Sequence, residues 1–394
     1  MLRFRNAAVG FSLALLVGCD AYDPALLTNA RRLDAGQLDP DRDMDVPMDV
    51  EVPDAGPPMD MGDPDLGPPP DMGPADSGCS TVPPVRPTLA DGPDMPVRWF
   101  AMRSFDLGIG IRWQQISYDL DARNSGPDSD PSTVECAPPP GFSVPQDGPC
   151  GVDNGFGATF IPLVTLIEPG FADSATTTVI DGRLGALVRL AGWNGTPNDP
   201  VVDVALVDSP QGGGADSDFS MGEMGMTPLE FDGTDRWFGS SNAFAAGDES
   251  RPLFRDSSAF VVDNLLVARL RDGSQLVISS DSRTAAIKLT GTILTAEISD
   301  GSRALSNGIL AGRWALDDIF NAMPGLAVCP GQESYTAIQE ALRRSADLTV
   351  SGESTPFLLC EALSVGIGFE AVLAEFEGVR PARPVIDGCS DAGS

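Results

Sequence analysis

Carboxylates and amides gather on both sides of a Pro/Gly-rich stretch in the first half of the chain. Asp119-Leu120-Asp121 leads into Asn124, Asp128 and Asp130, and Gly151-Val152-Asp153-Asn154-Gly155 follows Cys150. Hard cations such as Ca²⁺ take about six to eight oxygen ligands from carboxylates, amides and backbone. Asp-x-Asp spacing in an irregular loop lets several such oxygens converge. Asp119, Asp121, Asp128, Asp130, Asp153 and Asn154 are therefore the candidate calcium ligands. The region is not an EF-hand, because Arg123 stands where that loop needs a ligand and no glutamate closes it. A second reading stays open, since aspartate and asparagine also favour turns for purely local reasons.

A second group is aromatic. In Gly192-Trp193-Asn194-Gly195 and Asp235-Arg236-Trp237-Phe238, a tryptophan sits beside polar turn residues. Trp193, Asn194 and Trp237 have the makings of a carbohydrate platform, an apolar face with polar groups at its rim. Packing over a hairpin is the alternative, as large aromatics commonly do.

Other chemistries are excluded by what is missing. The 394 residues contain no histidine, so Ser-His-Asp and Cys-His arrangements cannot be assembled. His-ligated zinc and iron are out for the same reason. Lys288 is the only lysine and has no Ser-x-x-Lys before it. A pair of carboxylates could still do glycosidase chemistry, but no pair is singled out. The expectation is a non-enzymatic head, with a carboxylate-dependent glycoside hydrolase as a lesser alternative.

The elements that must position these residues read mainly as strands. Apolar or alternating runs bounded by turn residues predict strands at Val97–Phe105, Gly110–Tyr118, Leu184–Ala191, Val201–Val207, Phe260–Leu270, Gln275–Ser279, Ala285–Thr290 and Ile293–Ile298. Helical spacing is expected over Ala311–Met323 and Ser334–Arg344. Phe156–Ile167 reads as helix or buried strand. Pro356–Phe376 is long and apolar, with Gly366 and Gly368 weakening a helix. The fold class expected is mainly β (α+β): an antiparallel β-sandwich or barrel-like core with C-terminal helices, preceded by a disordered linker.

Seven cysteines bear on compartment. Cys79, Cys136, Cys150, Cys329, Cys360 and Cys389 make an even set, which in an exported chain reads as disulfides. Nearness in sequence suggests Cys136–Cys150 and Cys329–Cys360, leaving Cys79–Cys389 to tie the ends of the head. The remaining one, Cys19, closes a leader. Arg3 and Arg5 precede an apolar run from Ala7 to Val17 that is too short to span a bilayer.

Leu16-Val17-Gly18-Cys19 resembles the lipobox of bacterial lipoproteins. The resemblance implies cleavage before Cys19, lipidation of its sulfur and attachment to a membrane. Residues 20–78 then hold fifteen acidic residues against three arginines, with repeated Met-Asp and Gly-Pro-Pro units. Proline, like charges and few large side chains leave no core to form. As a flexible coil the segment would reach roughly 40–45 Å. The layout predicted is signal peptide 1–18, lipid-anchored linker 19–78 and β-rich head 79–394. It resembles envelope lipoproteins of large-genome Gram-negative bacteria.

The net charge of −32 repels nucleic-acid phosphates, so no nucleic-acid partner is expected. The partners expected are the membrane, through the anchor, and an extracellular glycan or protein bound by the head. A structural component of an envelope complex is the alternative. The outer membrane or cell surface is the favoured location, although Asp20 after the lipidated cysteine fits inner-membrane retention at the periplasmic face.

Overall fold

Aliphatic and β-branched residues alternate along much of the chain, and in the computed structural model these runs pair into one sheet. It describes residues 82–88, 92–280, 283–384 and 387–389. All of them fall in the compact unit Met72–Ser394. The leader, Cys19, the acidic linker and Cys79 lie outside the described residues.

The strands are β1 (Arg98–Asp106), β2 (Gly185–Ala191), β3 (Asp199–Ser209), β4 (Gln211–Gly213), β5 (Arg236–Ser240), β6 (Arg255–Val262), β7 (Leu265–Arg269), β8 (Ser274–Ser279), β9 (Thr284–Ser299), β10 (Ala304–Ala315) and β11 (Ala362–Arg380). Neighbours run β1-β2-β3-β6-β7-β9-β10-β11, and β11 returns to pair antiparallel with β1. The result is a closed, eight-stranded antiparallel barrel. Apart from the β4–β5 excursion, the place of β8 between β7 and β9, and the closing β11–β1 pair, strands adjacent in space are consecutive in the chain. Closure leaves no open edge around the wall, and eight strands make an interior that side chains can fill. β7 and β8 pair in succession with the two halves of β9, so together they act as one interrupted strand.

Alternation decides which residues fill the barrel. Ala186, Val188 and Leu190 of β2 join Val202, Val204 and Leu206 of β3 and Leu363, Val365 and Ile367 of β11 in the main core. Two helices between β1 and β2, α1 (Ile161–Ile167) and α2 (Phe171–Ile180), share that core through Val164, Phe171 and Ala175. Phe160 meets the Trp314 ring edge-on at 5.0 Å between centroids. Two more helices, α3 (Leu316–Ala322) and α4 (Glu333–Arg344), lie between β10 and β11.

The expected barrel-like, mainly β class is what the chain adopts, with differences in detail. The helices are not terminal, because β11 follows them. Phe260–Leu270 is not one strand: it turns back at Asp263 and Asn264, both at positive φ (50° and 67°), as a two-residue hairpin turn requires. The two strands expected after residue 284 are one, β9. Gly110–Tyr118 forms no strand. Its Ile109 neighbour and Ile111 point outward, 55% and 72% exposed.

The disulfide pairings expected from nearness in sequence are corrected. Cys136 pairs with Cys360, not Cys150, and Cys329 pairs with Cys389, not Cys360. Cys389 is thereby unavailable to Cys79. The reason is topological. Ala137 N–H donates to Leu358 O at 2.6 Å and Cys360 N–H to Ala137 O at 3.0 Å, which lays the two segments side by side. Gly388 N–H donates to Pro324 O at 3.0 Å and sets the C-terminal segment against the turn carrying Cys329. Cys150 is also disulfide-bonded. The first bridge spans 224 residues and in the chain-entropy picture contributes about 5 kcal/mol. Disulfides on this scale indicate an oxidising, extracytoplasmic compartment. Among the described residues no helix is long and apolar enough to cross a membrane.

Candidate metal centre

The acidic region is fastened to the outer wall of the barrel. Tyr118 packs with Ile293 and Ala311, and its hydroxyl lies 2.7 Å from Thr295 Oγ1 on β9. Asp119, Leu120 and Asp121 follow directly. Asp153 N–H donates to Tyr118 O at 2.9 Å, and Leu120 N–H donates to Asp153 Oδ2 at 2.7 Å, so the two acidic stretches are knitted together. On the other side Asn154 grips β11. Its amide donates to Gly366 O at 3.1 Å and to Trp113 O at 3.2 Å, and its carbonyl oxygen accepts from Gly366 N–H and Gly157 N–H, both at 3.0 Å. Residue 366 must be glycine there, since a Cβ would stand 2.1 Å from Ile116 O.

This scaffold brings Asp119, Asp121 and Asp153 together, with one oxygen from each lying within 4.8 Å of the others. Glu135 joins them as a neighbour that sequence reasoning passed over. Its side chain is only 3% exposed, and neither carboxylate oxygen makes a hydrogen bond of normal geometry, although the Ser125 hydroxyl is close by. Glu135 and Asp121 line one small cavity. Asp147 and Asp347 complete the buried acidic shell. Asp147 accepts from Ser125 N–H, and Asp347 accepts from Ser364 N–H at 2.8 Å and from the Ser364 hydroxyl.

Electrostatics make the gathering costly. Burial pushes the carboxyl of Asp121 up to about 7, with the charge of Glu135 as the next cause. Burial likewise lifts Asp147 and Asp347 to about 7, and Asp153 well above the ordinary carboxylate range. Asp119 and Glu135 are raised by burial too. Cationic relief is slight. Arg123 is felt by Glu135, but its Nη1 and Nε donate to Thr133 O at 3.0 Å and Ser354 Oγ at 3.2 Å. Arg313 borders the same cavity, yet burial lowers its pKa and the carboxylate that opposes this shift is Asp272, not one of the cluster. Close-set buried carboxylates without counter-charges hold either protons or a cation.

The remaining sequence candidates fall elsewhere. Asp128 and Asp130 are exposed, and Asp130 caps its own turn by accepting from Ser132 N–H and Oγ at 2.9 and 2.8 Å. Their place in the ligand set is corrected: a turn that satisfies its own aspartate has no reason to fold inward. Asn154 is structural, its amide saturated by backbone. Trp193 and Trp237 are not a carbohydrate platform. They are 3% and 0% exposed and belong to the cores inside and outside the wall. Asn194 braces its turn by accepting from Thr196 N–H at 2.8 Å.

No family model, curated protein or solved structure matches the chain.

What the centre can do is therefore a matter of its own residues. Asp119, Asp121 and Asp153, with Glu135 as a neighbour outside their converging group, supply hard oxygen donors and no nitrogen or sulfur, a chemistry suited to calcium rather than to zinc or copper. A signal for Glu135 existed in the sequence, since it stands between Val134 and Cys136 in a stretch that must be buried if the cysteine is bonded. Asp147 and Asp347 carried no such signal, because only the barrel topology brings residue 347 beside residue 153.

Proposed function

We propose that the protein is a non-enzymatic, extracytoplasmic binding module, anchored to the cell envelope by lipid at Cys19, whose head is completed by a calcium ion. Asp119, Asp121, Asp153 and Glu135 would ligate the ion. Asp147 and Asp347 would add negative potential behind them.

The observation that carries this reading is Glu135, whose two buried oxygens make no hydrogen bond of normal geometry, with only the Ser125 hydroxyl close by, beside three converging aspartates. An orphaned buried carboxylate costs several kcal/mol and calls for a partner. A divalent cation answers that demand for the whole cluster. Such an ion would cross-link the loop after Tyr118, the segment carrying Glu135 and the stretch after Cys150, stiffening the outer wall. The lipobox, the acidic Pro-rich segment and the disulfides support an envelope location.

Calorimetric titration of chelator-treated full-length protein with calcium chloride tests the metal. One saturable site is expected in the parent, weakened at least about tenfold in Glu135→Gln, a loss of about 1.4 kcal/mol. Titration without heat in the parent, or unchanged binding in the variant, would count against it. Anchoring is tested separately, since Cys19→Ser should move the protein from the membrane to the soluble fraction.

A further inference from the structure

A cleft of about 430 Å³ opens where β1, β11 and β10 run side by side. Bulges loosen both flanking strands there, between Met102 and Ser104 on β1 and between Leu305 and Gly308 on β10. Such bulges are frequent beside functional sites, because they re-aim side chains. Asn307, at φ 50°, is exposed on the β10 bulge, and residue 308 must be glycine, since a Cβ would stand 2.5 Å from the Phe369 ring. Ile116, Ile309 and Gly368 supply apolar lining, while Ser104, Asp106, Arg112, Gln115, Asn307 and Glu370 supply polar groups. A volume of this size is within the range of small-ligand sites.

The charges of this cleft are matched one for one. Arg112 Nε and Nη2 meet Asp106 Oδ2 at 2.9 and 2.8 Å, and Arg103 lies 3.8 Å from Glu370. An anionic ligand would face the field of a chain of net charge −32, and a cationic one would have to break one of these pairs. A neutral ligand meets neither cost. Arg112 Nη1 also donates to Gln115 Oε1 at 2.6 Å, which fixes the amide and leaves its N–H groups without a partner among the described residues. Asn307 Nδ2 donates to Glu297 Oε2 at 3.2 Å and its backbone N–H to Glu370 Oε1 at 3.1 Å, which leaves its side-chain carbonyl oxygen to accept. With the Ser104 hydroxyl, the cleft offers donors and acceptors together, and a hydroxyl group, which both donates and accepts, matches that mixture. Several hydroxyls on a ring with apolar C–H faces make a saccharide. The exposed Ile109 and Ile111 precede Arg112 and add apolar surface for such a face.

We propose that this cleft binds a neutral saccharide, its hydroxyls held by Gln115, Asn307 and Ser104 and one ring face set against Ile309. The inference rests on the reading of the head as a binding module and names the ligand class, but it does not depend on the cation. Arg112 and Gln115 stand on the same stretch of chain as Asp119 and Asp121, so binding is to be measured both with calcium and with chelator.

An array of neutral and acidic glycans, probed with full-length protein in a detergent that carries no sugar, tests it under both conditions. At least one neutral glycan should be retained in calcium, in chelator or in both. Calorimetry with that glycan should give a Kd that rises about tenfold or more when Gln115→Ala and Asn307→Gly are combined. Glycine at 307 keeps the positive φ of the bulge while removing the amide. Asp130→Asn, on an exposed turn that satisfies its own aspartate, should leave the affinity unchanged. Should the double variant fail to fold, Ser104→Ala is the milder test, expected to weaken binding about threefold. The proposal is overturned if the array is silent under both conditions, if acidic glycans alone are retained, or if the cleft variants bind as the parent does. Calcium heat is read on its own: sugar binding without it would remove the cation and keep the cleft, and the reverse would remove only the cleft.

Discussion

The barrel interior and the acidic region on its outer wall are both buried, by opposite chemistry. Inside, Leu206, Leu266, Ile287 and Trp314 exclude water with apolar surface, and their burial is its own explanation. Outside, Asp153, Glu135 and Asp347 are 2%, 3% and 4% exposed, and nothing in their burial favours folding by itself. A fold keeps the first kind of residue for stability. Residues of the second kind point to a ligand or to protons, and the contrast is what directs attention to the wall rather than to the barrel's centre.

Disrupting each region should separate them cleanly. Trp314→Ala, which empties a fully buried site against Phe160, should cost about 3–5 kcal/mol in urea unfolding, with or without calcium. If calcium rescued that variant, the two regions would not be independent. Saturating calcium should stabilise the parent by about 2.7 kcal/mol at a hundredfold excess over Kd, and Asp153→Asn should abolish most of that gain. A parent insensitive to chelator would remove the distinction.

Protons should compete with the ion. Asp121, Asp147 and Asp347 sit at about 7 in the folded protein, above the ordinary 3.8 expected when unfolded. Below about pH 4 both states hold their protons and the groups make no difference. Between about pH 4 and 7 the unfolded chain ionises while the folded one stays protonated, so stability of the calcium-free protein falls as pH rises and levels off above about 7. Chelated samples unfolded in urea across that range would check the sign. Calcium should flatten the decline. The smallest effect expected is from Asp130→Asn, within about 0.5 kcal/mol and with no change in calcium response.

How far these features were legible in the sequence follows from the same contrast. β8 alternates between buried and half-buried residues, and β1, β2 and β3 carry short apolar runs bounded by turn residues, so these four could be placed to within a few residues. β11 could not, because its first eight residues are all buried and leave no alternation to read. Gly366 and Gly368, which speak against a helix, are better understood as gaps for neighbouring backbone and side chains. Of the expected ligands, Asp119, Asp121 and Asp153 converge, since short-range spacing and the Tyr118 anchor suffice to bring them together. Glu135 and Asp347 arrive through long-range pairing, as do the partners of Cys136 and Cys329. Local spacing holds no information about contacts that only a closed barrel makes.

The most direct measurement is a crystal structure of the protein grown with calcium, read by anomalous scattering. A single peak about 2.3–2.6 Å from oxygens of Asp119, Asp121, Asp153 and Glu135 is the predicted result. An acidic cluster without a peak, or a peak held instead by Asp128 and Asp130, would contradict the account.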